Sequence, residues 1–216
     1  MLCVYTALWE VLMRYALATL SVLALSLTTT LLAQADGGAQ VGSAAPDFRL
    51  PDSQGKETSL SQFKGKTVVL EWFNPGCPFV KKFYSGGDMQ RFQKTAREKG
   101  AVWLTINSNA EGKPGYISQE KAADVVGSLQ LQSTALLLDP KGSVGRSYGA
   151  RTTPHMYVID PKGTLVYAGA IDNEPSTDSS DIAQAQNYVL NAVESVASGR
   201  PIEPNSTEPY GCSVKY

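Results

Sequence analysis

Thr67-Val68-Val69-Leu70-Glu71-Trp72-Phe73 is a nearly continuous apolar, β-branched and aromatic run. It predicts a central strand covered on both faces, because a strand with one wet face alternates apolar with polar positions. The run stops at Asn74-Pro75-Gly76. From Pro78 the spacing becomes helical, with Phe79, Val80, Phe83 and Tyr84 on one face. Met89, Phe92 and Ala96 resume that face beyond Gly86-Gly87, a pair that predicts a kink or a split. Ala101–Ile106 reads as a second strand, and a loop from Asn107 to Gly115 leads to a helix near Ser118–Leu129. These segments make one βαβ unit with a helix following.

Upstream, Phe48-Arg49-Leu50 and the turn Pro51-Asp52-Ser53-Gln54-Gly55 predict a short hairpin. Downstream, Ala135–Leu138 is a short strand, and a helical piece around Val144–Tyr148 precedes Arg151-Thr152-Thr153-Pro154. Asp-Pro-Lys-Gly occurs at 139–142 and again at 160–163. Its second copy joins His155–Ile159 to Leu165–Ile171 as an antiparallel hairpin, with Pro at the first corner of the turn and Gly at the left-handed position. A last helix is predicted over Asp181–Ala197, capped by Ser180 and stopped by Gly199 and Pro201. Residues 200–216 form a Pro-rich tail carrying Cys212.

Composition narrows the class. Of 216 residues, 43% are hydrophobic and 18% charged, the profile of one globular domain. Nineteen Lys and Arg against 20 Asp and Glu, scattered along the chain, leave no basic stripe for phosphates, so nucleic acid is not an expected partner. Tyr15–Ala35 carries no charge, follows Arg14 and exits through Ala33-Gln34-Ala35, a small-x-small pattern that signal peptidase accepts. Residues 1–35 are therefore read as a secretory signal, for which Met13-Arg14 is a more ordinary start than Met1. No Cys follows the apolar run, so lipid attachment is not expected. The rival reading is an uncleaved anchor, since 21 uncharged residues match the roughly 20 of a span. Cleavage gives a secreted or periplasmic protein; retention gives an anchored one facing the periplasm, with that segment its only membrane contact. Residues 36–46, rich in Gly, Ala and Ser, read as a flexible lead-in to a domain over 47–199.

Cleavage removes Cys3 and leaves Cys77 and Cys212. A domain of this size buries a core without staples, so both thiols are free for chemistry. Cys77 follows the central strand and precedes Pro78, which suits a first helical position. As the helix N-cap it would meet unpaired amides that favour a thiolate, lowering the thiol from about 8.5 toward neutrality. The alternative is an inert, buried Cys.

A βαβ unit followed by a strand-strand-helix half, with Cys at the first strand–helix junction and Thr-Pro before the hairpin, resembles the thioredoxin fold over roughly Val41–Ser198. That resemblance implies a central mixed sheet flanked by helices, here with an N-terminal hairpin extension and a C-terminal tail. The hairpin, the insertion around Leu136–Gly149 and the run Trp72-Phe73-Asn74-Pro75-Gly76-Cys77-Pro78-Phe79-Val80 are similar to the redoxin branch, which holds peroxiredoxin-like proteins of the alkyl hydroperoxide reductase and thiol-specific antioxidant type. It implies that Pro154 is the cis-proline that brings the backbone of Thr153 beside the active thiol. It also implies that Glu71 occupies the place of a buried acid that handles protons; an ordinary, partly exposed strand Glu is the other reading.

The sequence departs from both parent patterns. Cys-x-x-Cys is Cys77-Pro78-Phe79-Val80 here, so no local resolving thiol exists and dithiol exchange at the motif itself is excluded. Pro75 stands only two residues before Cys77, which breaks the peroxiredoxin pattern. Arg151, Lys81 or Lys82 could stand in for the family's peroxide-polarising Arg, with Arg151 the preferred candidate. Cys212 could condense with a Cys77 sulfenic acid, giving a disulfide for an external thiol reductant. A constitutive Cys77–Cys212 bridge contributing about 2–4 kcal/mol is the structural alternative. His155 begins a strand beside Pro154 and reads as structural. One loop Cys and one His do not reproduce the fold's copper sites, and no cofactor is implied. Trp72, Phe73, Phe79 and Phe83 read as core. The sequence thus implies a thiol oxidoreductase acting on hydroperoxides, with disulfide interchange or a non-catalytic module as alternatives.

Overall fold

The computed structural model describes residues 38–216, and the leader read at 1–35 lies outside the described residues. In chain order, strands β1 (Arg49–Pro51) and β2 (Glu57–Ser59) form a hairpin followed by a 3-10 turn at Leu60–Phe63. Strand β3 (Val68–Trp72), helices α1 (Pro78–Tyr84) and α2 (Asp88–Glu98), and strand β4 (Val102–Asn107) complete the βαβ unit, the glycine pair having split the predicted helix in two. Helix α3 (Gln119–Ser128), strand β5 (Ala135–Leu138), helix α4 (Ser143–Tyr148) and the two-residue strand β6 (Thr152–Thr153) come next. Strands β7 (His155–Ile159) and β8 (Leu165–Gly169), a 3-10 turn at Ser179–Ala183, helix α5 (Tyr188–Ser198) and strand β9 (Cys212–Ser213) close the chain.

The central sheet has five strands in the order β5-β4-β3-β7-β8, with β3, β4 and β5 parallel and β7 and β8 antiparallel to their neighbours. This is a thioredoxin-like α/β arrangement with β3 in the middle. Because successive strand side chains point to opposite faces, Val69 and Phe73 enter the layer formed with α1, α2, α3 and α5. Val68, Leu70 and Trp72 enter the opposite layer, against the β1–β2 hairpin and α4. Both layers are dry, which is why β3 reads as an unbroken apolar run.

Two segments differ from the sequence reading. Residues 38–46, expected as a loose lead-in, are bonded down: the Ala39 amide donates to Ser147 O, and Ser43 and Ala45 bond the β7–β8 turn region at Leu165 and Gly163. The helix predicted from Asp181 begins instead at Tyr188, because Asn187 Oδ1 accepts the Leu190 amide at 2.9 Å and caps it. Upstream, the Asp178 carboxylate accepts the Ser180 amide and closes a separate 3-10 turn. Residues 200–216 fold back, and β9 pairs antiparallel with β6, Thr152 opposite Ser213 and Thr153 opposite Cys212.

Candidate active site

The loop after β3 is shaped by Asn74. Its Oδ1 accepts the Gly76 amide at 2.8 Å and its carbonyl accepts the Cys77 amide at 3.1 Å, a side-chain-mimicked turn. Asn74 Nδ2 donates to Pro114 O, and Asn107 and Asn109 both donate to Gly115 O, so the 110–117 loop is tied to the same turn. The sequence reading took Asn74 only as the end of a strand, although Asn before Pro-Gly is the signal of such a turn.

The turn delivers Cys77 to the N-cap of α1 with Pro78 exposed in the first helical turn. The Cys77 carbonyl accepts the amides of Val80 and Lys81, and its side chain is 2% exposed. Its Sγ–H donates to Thr153 O at 3.2 Å, next to the cis Thr153–Pro154 bond. Cys212 packs against the same cluster through the β6–β9 pairing, and both cysteines are free thiols. Gly211 makes that approach possible: its φ of +135° favours glycine, and a Cβ there would run into Thr153 O.

Burial pushes the Cys77 thiol up, yet the Cys212 thiol, the Val80 and Cys212 amides and the Thr153 side chain together bring it below the ordinary thiol value. Burial and the neighbouring Cys77 push Cys212 the other way, to about 11. The pair therefore loses its first proton from the Cys77 side, and Cys212 holds the second. The sequence reading had assigned thiolate stabilisation to the helix amides alone; the largest favourable contribution here comes from the second thiol.

Glu71 is fully buried on the helix-covered face of β3. It accepts hydrogen bonds from Tyr84 Oη (2.7 Å), Gln93 Nε2 (3.2 Å), Trp103 Nε1 (2.8 Å) and Thr105 Oγ1 (3.1 Å). Burial raises its carboxyl despite those four donors. Cys77 is not among its partners. Arg151 is exposed, and its guanidinium pairs with Glu208 at 3.0 Å instead of bonding the sulfur. Lys81 is exposed, while the buried Lys82 ammonium donates to Glu174 O at 2.8 Å. His155 accepts the Arg151 amide at Nδ1 and packs on Tyr157. Trp72, Phe73 and Phe83 are core, whereas Phe79 is half-buried and meets Tyr210 of the returning tail, ring centroids 5.9 Å apart. Among the described residues no group of three or more His, Cys, Asp or Glu could hold a metal ion, and no helix is long and apolar enough to cross a membrane.

A buried thiol that can ionise, beside a second thiol that keeps its proton, is an arrangement for two-electron sulfur chemistry. Comparison with known proteins agrees. The chain is 29% identical over 132 residues to the thiol-disulfide oxidoreductase ResA of Geobacillus thermodenitrificans, spanning 58% of this chain and 66% of that one. It is 30% identical over 142 residues to peroxiredoxin-1 of Gekko japonicus, spanning 60% and 68%. In fold it is similar to a hypothetical protein of Sinorhizobium meliloti, with a TM-score of 0.69 and 24% identity over 83% of this chain and 96% of that one. The chain thus spans about two thirds of the length of these two curated relatives. With the AhpC/TSA family model matching residues 41–168, on either side of Cys77 and through the Thr153–Pro154 bond, the chain belongs to the AhpC/TSA family.

Proposed function

We propose that this protein reduces hydroperoxides with Cys77 as nucleophile and Cys212 as resolving thiol. The observation that carries the reading is the seating of Cys212 opposite Thr153, whose carbonyl also receives the Cys77 thiol. The Cys77 thiolate attacks the distal peroxide oxygen, the O–O bond breaks, and the alkoxide leaves with a proton as alcohol or water. Cys77 is oxidised to sulfenic acid. The Cys212 sulfur then attacks that sulfur; its proton and the sulfenic hydroxyl leave as water, and a Cys77–Cys212 disulfide remains. An external thiol reductant restores both thiols at the cost of its own oxidation. Amides of Val80 and Cys212 and the Thr153 side chain stabilise the developing charge around Cys77, a role assigned to them here in preference to Arg151.

Dithiol–disulfide interchange is the second reading. It is favoured by one feature: Cys212 supplies from the tail the partner thiol that Val80 removes from the motif. In that case Cys77 attacks a substrate disulfide, one substrate thiolate leaves, and Cys212 displaces the second from the mixed disulfide. The leader read at residues 1–35 supports an exported enzyme under either reading.

The test is a peroxide pulse on reduced protein, followed by intact-mass analysis and trapping of sulfenic acid. Peroxide consumption lost in Cys77→Ser, with a trapped Cys77 sulfenate in Cys212→Ser, is the expected result. Inertness to peroxide together with capture of a mixed disulfide on Cys77 in Cys212→Ser would replace the first reading by the second.

A further inference from the structure

The segment Pro209–Tyr216 is strapped down on both sides of Cys212. Before it, the Tyr210 hydroxyl donates to the buried Asp172 carboxylate and its ring meets Phe79. After it, the Val214 amide donates to Arg151 O at 2.9 Å and Lys215 O accepts the Ala110 amide at 2.7 Å. Tyr216 makes the last anchor. Its ring lies in a slot made by Gly142 and Gly145 of the α4 turn, where a Cβ on Gly145 would come within 2.5 Å of the Tyr216 hydroxyl oxygen. The Arg146 guanidinium covers the ring at 4.5 Å, and the hydroxyl donates to Ala150 O at 2.7 Å.

The strap has two effects at once. It pairs with the residue that holds the Cys77 thiol, a cysteine only 2% exposed, and it occupies the hydrogen-bonding edge of Thr152–Thr153. An extended polypeptide carrying a disulfide to Cys77 would add a strand along that edge, and β9 already fills it. A hydroperoxide needs no edge and only a small opening beside the sulfur.

We propose that Tyr216 is a specificity-determining residue: seated in the Gly142–Gly145 slot, it keeps the strap closed over Cys77, so that small oxidants reach the thiol and polypeptide disulfides do not. Cys212 is held in resolving position by the same contact. The proposal rests on the reading of Cys77 as a reactive thiol, and it deepens the hydroperoxide assignment by adding a size limit.

Full-length wild type, Tyr216→Ala, Gly145→Ala and Tyr216→Phe are reduced, checked for cooperative melting, and reacted with iodoacetamide or with a maleimide on a long polyethylene glycol chain. Adducts at Cys77 are located by peptide mass mapping. Tyr216→Ala empties the slot, while Gly145→Ala evicts the ring without changing the strap, so either variant suffices if the other fails to fold. In both, bulky labelling relative to iodoacetamide is expected to rise about tenfold, as when an open state grows from about 1% to about 10% of molecules. In a Cys212→Ser background, capture of insulin as a mixed disulfide on Cys77 is expected to rise with it. Tyr216→Phe keeps the ring and the Arg146 contact and is expected to stay near wild type. A labelling ratio unchanged in the Ala variants, or capture of insulin on Cys77 that does not rise, overturns the proposal. A raised ratio in a protein that consumes no peroxide retains the gate and refutes the hydroperoxide reading instead.

Discussion

Thr153 and Cys212 face each other across the two-stranded β6–β9 sheet, and Thr153 is also the residue whose carbonyl accepts the Cys77 thiol at 3.2 Å. One residue of the Thr-Pro loop therefore touches both sulfur-bearing segments, through its backbone on one side and through its Oγ1, which donates to Cys212 O at 3.4 Å, on the other. Two cysteines far apart in the chain are brought to the same residue, and the proximity of Cys212 lowers the Cys77 thiol. The ionisation of Cys77 is thereby coupled to the position of the tail.

Cys212→Ala removes the largest favourable contribution to the Cys77 thiolate. The midpoint of Cys77 alkylation against pH is expected to move upward in this variant, because the thiolate loses a hydrogen-bond donor while burial remains. Rates of iodoacetamide labelling followed across pH check this. An unmoved midpoint would mean that the helix amides alone set the thiol's acidity.

Gly211→Ala forces a Cβ into the Thr153 carbonyl from a backbone conformation that disfavours it. The strand must lift, so Cys77–Cys212 disulfide formation after oxidation is expected to slow. Stability is expected to fall by about 1 kcal/mol or more. Quenched-flow trapping of the disulfide and denaturant melts measure the two effects separately. A variant that bridges as fast as wild type would show that the close approach of β9 to Thr153 is dispensable.

Glu71→Gln places an amide nitrogen among four donors that a carboxylate satisfied. A donor must then face a donor in a dry layer, and the expected loss is about 1–3 kcal/mol of unfolding free energy. The raised Glu71 carboxyl works in the opposite sense at high pH: keeping the proton favours the fold at low pH, and that share fades as pH rises through the folded value. Urea melts of both proteins at several pH values test the pair of statements.

His155 is held neutral, with burial first and the Arg151 charge second bringing it from an ordinary 6.5 down to about 3. The unfolded chain takes up that proton more readily than the folded one. Stability from this group is complete above about pH 6.5 and drains away as pH falls toward 3, by up to about 5 kcal/mol. His155→Asn offers an acceptor to the Arg151 amide without a proton to gain, and its acid limb is expected to be shallower than that of wild type. Parallel acid limbs would assign the loss to other groups.

Most of the fold was legible in the residue pattern. The apolar runs at 67–73, 101–106 and 135–138 became three parallel strands, and the second Asp-Pro-Lys-Gly turned a hairpin where expected. The Cys77-Pro78 junction likewise marked the start of a helix. Misread boundaries came from local competition: at 178–188, Asp178 and Asn187 each cap a turn of their own, and a continuous apolar periodicity across Ile182, Ala185 and Val189 concealed the break.

The sequence by itself determined where the Cys77 sulfur sits, because strand, turn and helix-start signals are all encoded within a dozen neighbouring residues. Whether Glu71 was wet or dry, whether Arg151 reached the sulfur, and where Cys212 lay were decided only by tertiary structure. Those outcomes depend on contacts between segments far apart in the chain: four donors from three elements converge on Glu71, Glu208 draws Arg151 outward, and the Tyr216 slot draws the tail home. Periodicity and capping are local, whereas a thiol's partner is chosen by packing.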